Sequence, residues 1–236
     1  MTSTFKNGKK KAVTFSYDDG VLQDIRLIEI FNKYGLKCTF NLNSKLLGNY
    51  GELVINGQCI PHLKVKPEDV RNVYAGHEVA VHTLSHPNLT NLGEKDIIRQ
   101  VEEDRLNLSE LCGYEVIGMA YPCGGTNNDD RVAEIIKNNT GVQFSRTITS
   151  SHSFDLQENL YRFNPTVYHN GEWDKMVELA EEFINLETDE PQLLYIWGHA
   201  YEFDIHDTWD KFDEFCKMLS GHDDIFYGTN REVFGM

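Results

Sequence analysis

Nowhere in the chain does an apolar run approach the roughly 20 residues that a helix needs to cross a bilayer, so no membrane span is expected. The opening residues, MTSTFKNGKKKAV, are basic but hold no apolar stretch ahead of the first strand. No secretory signal is therefore read, and the expected location is the cytoplasm. Basic residues are scarce, 22 Lys and Arg against 37 Asp and Glu, for a formal net charge of −15. That balance repels phosphate backbones and anionic lipid surfaces, so neither nucleic acid nor membrane is an expected partner. A neutral substrate or a bound cation suits it better. Cysteine is sparse and unpaired. Cys38, Cys59, Cys112, Cys123 and Cys216 are odd in number, widely spaced and form no C-x-x-C pair, a pattern of reduced thiols. Only 6 prolines occur and no Pro- or Ser-rich linker divides the chain, so residues 1–236 are expected to form one domain. With 40% hydrophobic and 25% charged residues, disorder is excluded. The composition says nothing of oligomeric state.

What is present is an alternation. Short β-branched or aromatic runs, predicted as strands at residues 12–16, 37–42, 78–81, 116–120, 143–147, 193–197 and 224–227, alternate with stretches of helical period. The first helical face carries Leu22, Ile25, Ile28 and Phe31 and stops at Gly35; a second carries Ile97, Val101, Leu108 and Leu111 and stops at Gly113. Further helices are expected at 129–138, 172–184, 208–219 and 230–234. Seven strands, each followed by a helix or long loop, predict an α/β fold with a parallel sheet and its chemistry at the carboxyl ends of the strands. Segments 43–66 and 149–168 lack a period, and loops of that length are often functional, so both are expected on the substrate side.

Four strand ends carry chemistry. The first ends in Phe15-Ser16-Tyr17-Asp18-Asp19-Gly20. This is either a helix-capping turn or a pair of carboxylates that reach one cavity where the strand breaks. The third ends in Val81-His82-Thr83-Leu84-Ser85-His86. Two imidazoles four residues apart share a cation readily, although nine histidines make chance spacings common. Asp19, His82 and His86 together make a His₂-carboxylate set suited to zinc or a similar divalent metal, with a position left open. The fourth strand runs into Tyr121-Pro122-Cys123-Gly124-Gly125, a rigid turn whose backbone N–H groups suit an oxyanion hole or simply form a loop. The strand at 193–197 runs into Gly198-His199, where a histidine is placed to donate a proton. Each motif alone has an ordinary structural reading. Their coincidence on one rim favours a catalytic site.

The set resembles the polysaccharide deacetylases, also called carbohydrate esterase family four or the NodB homology domain, from Thr14 to about His199. Gly76-His77-Glu78-Val79-Ala80-Val81-His82-Thr83-Leu84-Ser85-His86 is similar to the family's G-H-E-[IV]-x-x-H-[ST]-x-x-H motif, and T-F-S-Y-D-D-G resembles its T-F-D-D-G with extra residues between Phe and the Asp pair. Lys37-Cys38-Thr39-Phe40-Asn41 is similar to its second strand. The resemblance implies a distorted (β/α) barrel of about seven parallel strands. It also implies Asp18 as general base, Asp19, His82 and His86 as ligands to one divalent metal, the Cys123 N–H in the oxyanion hole and His199 as general acid. Zinc is the first expectation for the metal, ahead of cobalt, nickel or manganese. The reaction implied is hydrolysis of an N-acetyl group on a sugar, oligosaccharide or glycan.

Two features depart from the family. The third motif lacks its arginine, and Arg146 at the end of strand five is the expected substitute; no acidic partner for His199 is evident, Asp155 and Asp204 being the candidates. Trp197, Tyr201 and Phe203 are expected to stack on a sugar or pack in the core, and His169 is a further rim candidate. Two other readings stay open: an amidohydrolase for a small soluble amide, and a carbohydrate-binding protein without activity. A long cleft would favour an oligosaccharide, a closed pocket a small molecule.

Overall fold

The computed structural model describes residues 4–55 and 57–236. Ten strands occur among the described residues: β1 (Lys11–Asp18), β2 (Cys38–Leu42), β3 (Glu52–Ile55), β4 (Gln58–Pro61), β5 (Glu78–Val81), β6 (Gly118–Ala120), β7 (Phe144–Arg146), β8 (Val167–Tyr168), β9 (Gln192–His199) and β10 (Ile225–Tyr227). Eight of them form one parallel sheet with a seven-strand path, β7-β6-β5-β2-β1-β9-β8. β10 joins it off the path, sharing an edge of β1 with β2: it pairs with residues 11–13, and β2 takes over from Phe15 onward. Every residue of β1 is buried, as expected of a strand covered on both faces.

The chain after β7 closes the sheet. Phe163 N–H donates to Ser145 O (3.0 Å) and Thr147 N–H to Phe163 O (2.9 Å). A few residues on, Thr166 N–H donates to Tyr195 O (2.8 Å) and His169 N–H to Trp197 O (2.9 Å). One short stretch thus spans from β7 to β9 and completes a distorted (β/α) barrel, as the family resemblance implied. The membership differs in one strand. β8 lies inside the segment read as loop at 149–168, and the other such segment, 43–66, holds the antiparallel hairpin β3–β4.

Helices pack around the barrel: α1 (Asp24–Tyr34), α2 (Val70–Val73), α3 (Glu94–Ile98), α4 (Asp104–Cys112), α5 (Asp130–Asn139), α6 (Trp173–Asn185), α7 (Glu202–His206), α8 (Trp209–Leu219) and α9 (Asn230–Val233). Gly35 and Gly113 end α1 and α4 at φ 67° and 77°, as the glycine stops predicted. Asp129 caps α5 by accepting from Val132 N–H (2.7 Å), and Thr229 with Glu232 forms a capping box on α9. The buried face of α1 differs from the one expected. Leu27, Ile28, Ile30 and Phe31 face the core, whereas Leu22, ahead of the helix start at Asp24, and Ile25, in its first turn, remain 42% exposed. Between α3 and α4 the helix passes through a π turn, Arg99–Glu103.

β1 and β9 each run two residues further than the sequence pattern suggested. The register shows no inserted residue. Phe15, Ser16, Tyr17 and Asp18 pair in succession with Cys38, Thr39, Phe40 and Asn41 on one side, and Asp18 pairs with His199 on the other. The insertion read in the first motif is therefore corrected: Ser16 and Tyr17 stand where the motif has its Thr and Phe, with no bulge in the strand.

Candidate active site

Regular pairing to the end of β1 and β9 sets Asp18 and His199 side by side at the carboxyl rim. Asp18 is 2% exposed. Arg146, from the end of β7, reaches across the barrel and donates from one Nη to both of its oxygens, at 2.6 and 2.5 Å. The same guanidinium donates to Ser16 Oγ (3.2 Å) and Thr147 O (2.9 Å) and lies over the Trp197 ring at 4.4 Å. Asn41 Nδ2 also donates to Asp18 Oδ1 (2.8 Å). Burial would push the Asp18 carboxyl up, but Arg146, with His82 and His199, outweighs it and holds it below the ordinary range. Arg146 thus reaches the rim from β7 and pairs with Asp18.

Ligand atoms of Asp19, His82 and His86 lie within 4.8 Å of one another. Ala120 O, 2.9 Å from His82 Nδ1, can only accept, so Nδ1 carries the hydrogen and Nε2 is left with a free lone pair. Burial lowers the His82 pKa to about 4 against the pull of Asp18, so the ring is neutral at neutral pH. Two imidazoles and an ionised carboxylate fit a divalent cation. The local backbone is unusual: Asp19, Thr83, His86 and Cys123 all adopt positive φ, between 60° and 84°. For a β-branched residue such as Thr83 this is a strained conformation, of a kind that collects at functional sites. Thr83 Oγ1 accepts from His86 N–H (3.1 Å) and steadies the turn.

Cys123 lines the same pocket, its Sγ 3.7 Å from His86 Nδ1. Burial and then the Asp19 charge push its thiol up, which disfavours a thiolate. Sequence reasoning missed Lys64 and His62, brought in by the segment after β4. Lys64 Nζ donates to Asp19 O (2.6 Å) and lies 3.2 Å from its Oδ1, and His62 Nε2 is 3.5 Å from Oδ2. Burial would raise the Asp19 carboxyl, but His62, Lys64 and their neighbours hold it well below the ordinary range. No local pattern announces this contact. Lys64 is delivered by an antiparallel bridge to Val21.

The acidic partner of His199 is Glu202, the first residue of α7. His199 N–H donates to Glu202 Oε2 (3.0 Å), and His199 Nδ1 lies 3.2 Å from Oε1. Neither residue read as a candidate for this place reaches His199. Asp155 accepts from Gln192 Nε2 (3.0 Å), and Asp204 accepts from Trp209 Nε1 (2.7 Å) and Gln23 Nε2 (2.9 Å). The signal was present in the spacing, since three residues after His199 the chain has turned back into a helix. Burial alone would lower the His199 pKa, but Glu202, Asp19 and Asp18 raise it to about 9.

These groups share a cavity of about 410 Å³, walled by Tyr121, Ile148, Tyr168, Trp197 and Tyr201. Of the three aromatics read as either stacking on a sugar or packing in the core, Trp197 and Tyr201 line the pocket. Phe203 does not: it is 1% exposed and packs on Trp209 and Phe212. His169 is not on the rim either, being buried behind it.

The sequence profile of the polysaccharide deacetylases matches residues 5–144, more than half of the chain, and the chain belongs to that family. Among curated proteins it is similar to the peptidoglycan-N-acetylmuramic acid deacetylase PdaC of Bacillus subtilis (strain 168), 25% identical over 124 residues. That match covers 52% of this chain but only 23% of the relative's length. Among solved structures, a family 4 carbohydrate esterase from Streptomyces lividans in complex with acetate superimposes with a TM-score of 0.60 at 16% identity, covering 93% of each chain. A family 4 acetyl xylan esterase from Clostridium thermocellum, solved with a cobalt ion, gives 0.58 at 18% identity, covering 95% of this chain and 90% of that one. At such identities the structural likeness establishes the fold.

Proposed function

We propose that this chain is a metal-dependent hydrolase that removes N-acetyl groups from an N-acetylated sugar, oligosaccharide or glycan. The observation that carries the reading is one cavity in which Asp18, gripped by Arg146, and His199, gripped by Glu202, stand beside the Asp19–His82–His86 cluster. Asp19, His82 and His86 would hold one divalent cation, zinc first, with cobalt, nickel or manganese as alternatives. When bound, the cation supplies Lewis-acid polarisation of the amide carbonyl and a more acidic water. Asp18, ionised and backed by Arg146, takes the proton from the attacking water. The Cys123 N–H donates to the oxyanion that develops on the carbonyl. His199, charged at neutral pH, gives its proton to the amine nitrogen as the C–N bond breaks; without it the intermediate would expel water instead of the poorer amine leaving group.

The cavity is at the small end of ligand sites, which run from about 300 to 1,000 Å³. His62 packs on Tyr201 at 4.9 Å between ring centres and narrows the rim on that side. This favours a substrate that inserts one N-acetylated unit, and it gives weight to the second reading, a small soluble amide. A cytoplasmic location would suit such a substrate. No helix among the described residues is long and apolar enough to cross a membrane.

The test is acetate release by metal-stripped protein reloaded with zinc, offered N-acetylated monosaccharides, chito-oligomers and small amides. Release from an N-acetylated sugar is expected, abolished by chelation. Asp18→Asn or His199→Ala should cut it by about 10²–10⁴, the contribution of a positioned acid or base. One ion per chain should bind, and His82→Ala should lose it. Unchanged rates in both variants would overturn the assignment, and a metal-loaded protein inert toward every amide would leave a carbohydrate-binding role.

A further inference from the structure

Behind His199 a buried run of polar side chains leads from Glu202 back to β1. Glu202 Oε2 is 2.9 Å from His169 Nε2, and His169 Nδ1 is 2.7 Å from Tyr17 Oη. Tyr17 is fully buried and His169 is 2% exposed. Glu202 is further held by Asn170 Nδ2 (3.0 Å) and the Tyr168 hydroxyl, both on Oε1. These contacts fix an order of protons. A buried phenol keeps its hydrogen at neutral pH, and among the described residues the acceptor it meets is His169 Nδ1. That nitrogen must then carry the lone pair. The ring hydrogen sits on Nε2 and is donated to Glu202 Oε2.

We propose that His169, its tautomer set by Tyr17, is a positioning residue that orients Glu202 and through it the proton donor His199. The inference rests on the reading of His199 as general acid. A second observation shows that the arrangement is built into the strand. Gly198 stands opposite Tyr17 in the register of β1 and β9, and a Cβ there would come 2.5 Å from His169 Cε1 and Nδ1. The imidazole lies against bare backbone that only glycine provides. Burial pushes the His169 pKa down against the pull of Glu202, in keeping with a neutral ring. Tyr17 directly precedes Asp18, so the strand that carries the base also anchors the partner of the acid.

A proton donor matters most when the leaving group is poor, which separates positioning from general damage. The metal-loaded chain and its His169→Leu, His169→Gln, Tyr17→Phe and His199→Ala variants are compared on an N-acetylated sugar and on 4-nitrophenyl acetate, whose phenolate leaves without protonation. His169→Leu should lower kcat on the amide about 10- to 100-fold, a part of the roughly 10²–10⁴ that a positioned acid supplies, with KM and the aryl ester rate little changed. His169→Gln retains a donor toward Glu202 and should recover most of the loss. Equal losses on both substrates, or none, would overturn the proposal. His199→Ala isolates the parent reading: if it shows no leaving-group dependence, the general-acid assignment fails first. A readout that needs no turnover is ¹⁵N NMR of the histidine-labelled chain. His169 should show a lone-pair Nδ1 and a protonated Nε2, and Tyr17→Phe should disturb that tautomer. The opposite tautomer or a doubly protonated ring overturns the proposal whatever the substrate.

Discussion

Arg146 is the side chain on which the charge of Asp18 depends. It is 1% exposed, holds both oxygens of Asp18 and lies over the Trp197 ring. Breaking such a buried pair from one side leaves an uncompensated carboxylate and costs about 3–5 kcal/mol. Arg146→Met should therefore lower the urea midpoint by that equivalent and raise the Asp18 pKa, and the Asp18→Asn/Arg146→Met double variant should lose less than the sum of the single changes. A loss below about 1 kcal/mol in Arg146→Met would contradict the account. Arg146→Lys keeps the charge without the further bonds to Ser16 Oγ and Thr147 O and the contact with Trp197, so activity should still fall. This residue was legible in the sequence because it ends a strand, and strand ends share a rim. Glu202 was harder to read, since its proximity to His199 follows from a reversal of the chain at residues 200–202 that no hydrophobic period marks. Lys64 and His62 lie in segment 43–66, expected on the substrate side, but no local pattern singled them out, because the irregular stretch after the hairpin delivers them.

The helix that follows the two histidines shows how an element can hide its role. Ile97, Val101 and Leu108 are buried as the period requires, so the sequence reads as one uninterrupted helix. The π turn Arg99–Glu103 within it adds a residue to one turn and directs polar groups at the loop that carries His82 and His86. Leu84 N–H donates to Gln100 O (2.9 Å), Ser85 N–H to Gln100 Oε1 (3.1 Å), and Gln100 Nε2 to Ser85 Oγ (2.9 Å). Asp104 accepts from Ser44 N–H (2.7 Å) and His82 N–H (3.2 Å). Such support of ligating residues is worth about 10- to 100-fold in metal affinity where it has been removed. Gln100→Ala should weaken zinc binding by that factor in a chelator competition, with the unfolding midpoint of the metal-free protein lowered only slightly. Unchanged affinity would mean that the strained turn at Thr83 holds the histidines unaided. The strands were read well for the opposite reason: their apolar runs are continuous and buried. β8 escaped because two residues cannot show a period.

Acidic groups outnumber basic ones in the chain, and among the described residues the buried Glu78, Asp104 and Asp24 form no ion pair. Burial raises the carboxyl of Glu78 to about 7 against hydrogen bonds from Arg231 N–H and Thr39, that of Asp104 to about 7, and that of Asp24 to about 8 despite the Tyr74 hydroxyl. A carboxyl raised in the folded state holds its proton at pH values where the unfolded chain, near 4, has released it. Its contribution to stability is complete below about pH 4 and is lost as pH rises through the folded value. His199, raised to about 9, acts in the same direction, with its contribution present below its unfolded value near 6.5 and lost toward 9. The groups shifted the other way finish their changes lower. Asp18, Asp19 and Glu202 have delivered their stability once the unfolded carboxyls have ionised, and His77 and His82, both lowered to about 4, once the unfolded imidazoles have lost their protons. Above about pH 7.5 the unfolded imidazoles are neutral and, of these groups, only the falling contributions remain; from pH 6.5 the raised carboxyls and His199 already outweigh the two histidines. The metal-free protein should therefore lose stability steadily from pH 6.5 to 9, with a slope on the order of 1 kcal/mol per pH unit, since each extra proton bound by the folded state is worth about 1.4. Urea unfolding at half-unit steps measures it. Glu78→Gln, which keeps the shape and removes the titration, should flatten the lower part of the decline. A midpoint that holds level or rises across this range would show that the buried carboxyls are ionised after all and have found partners on folding.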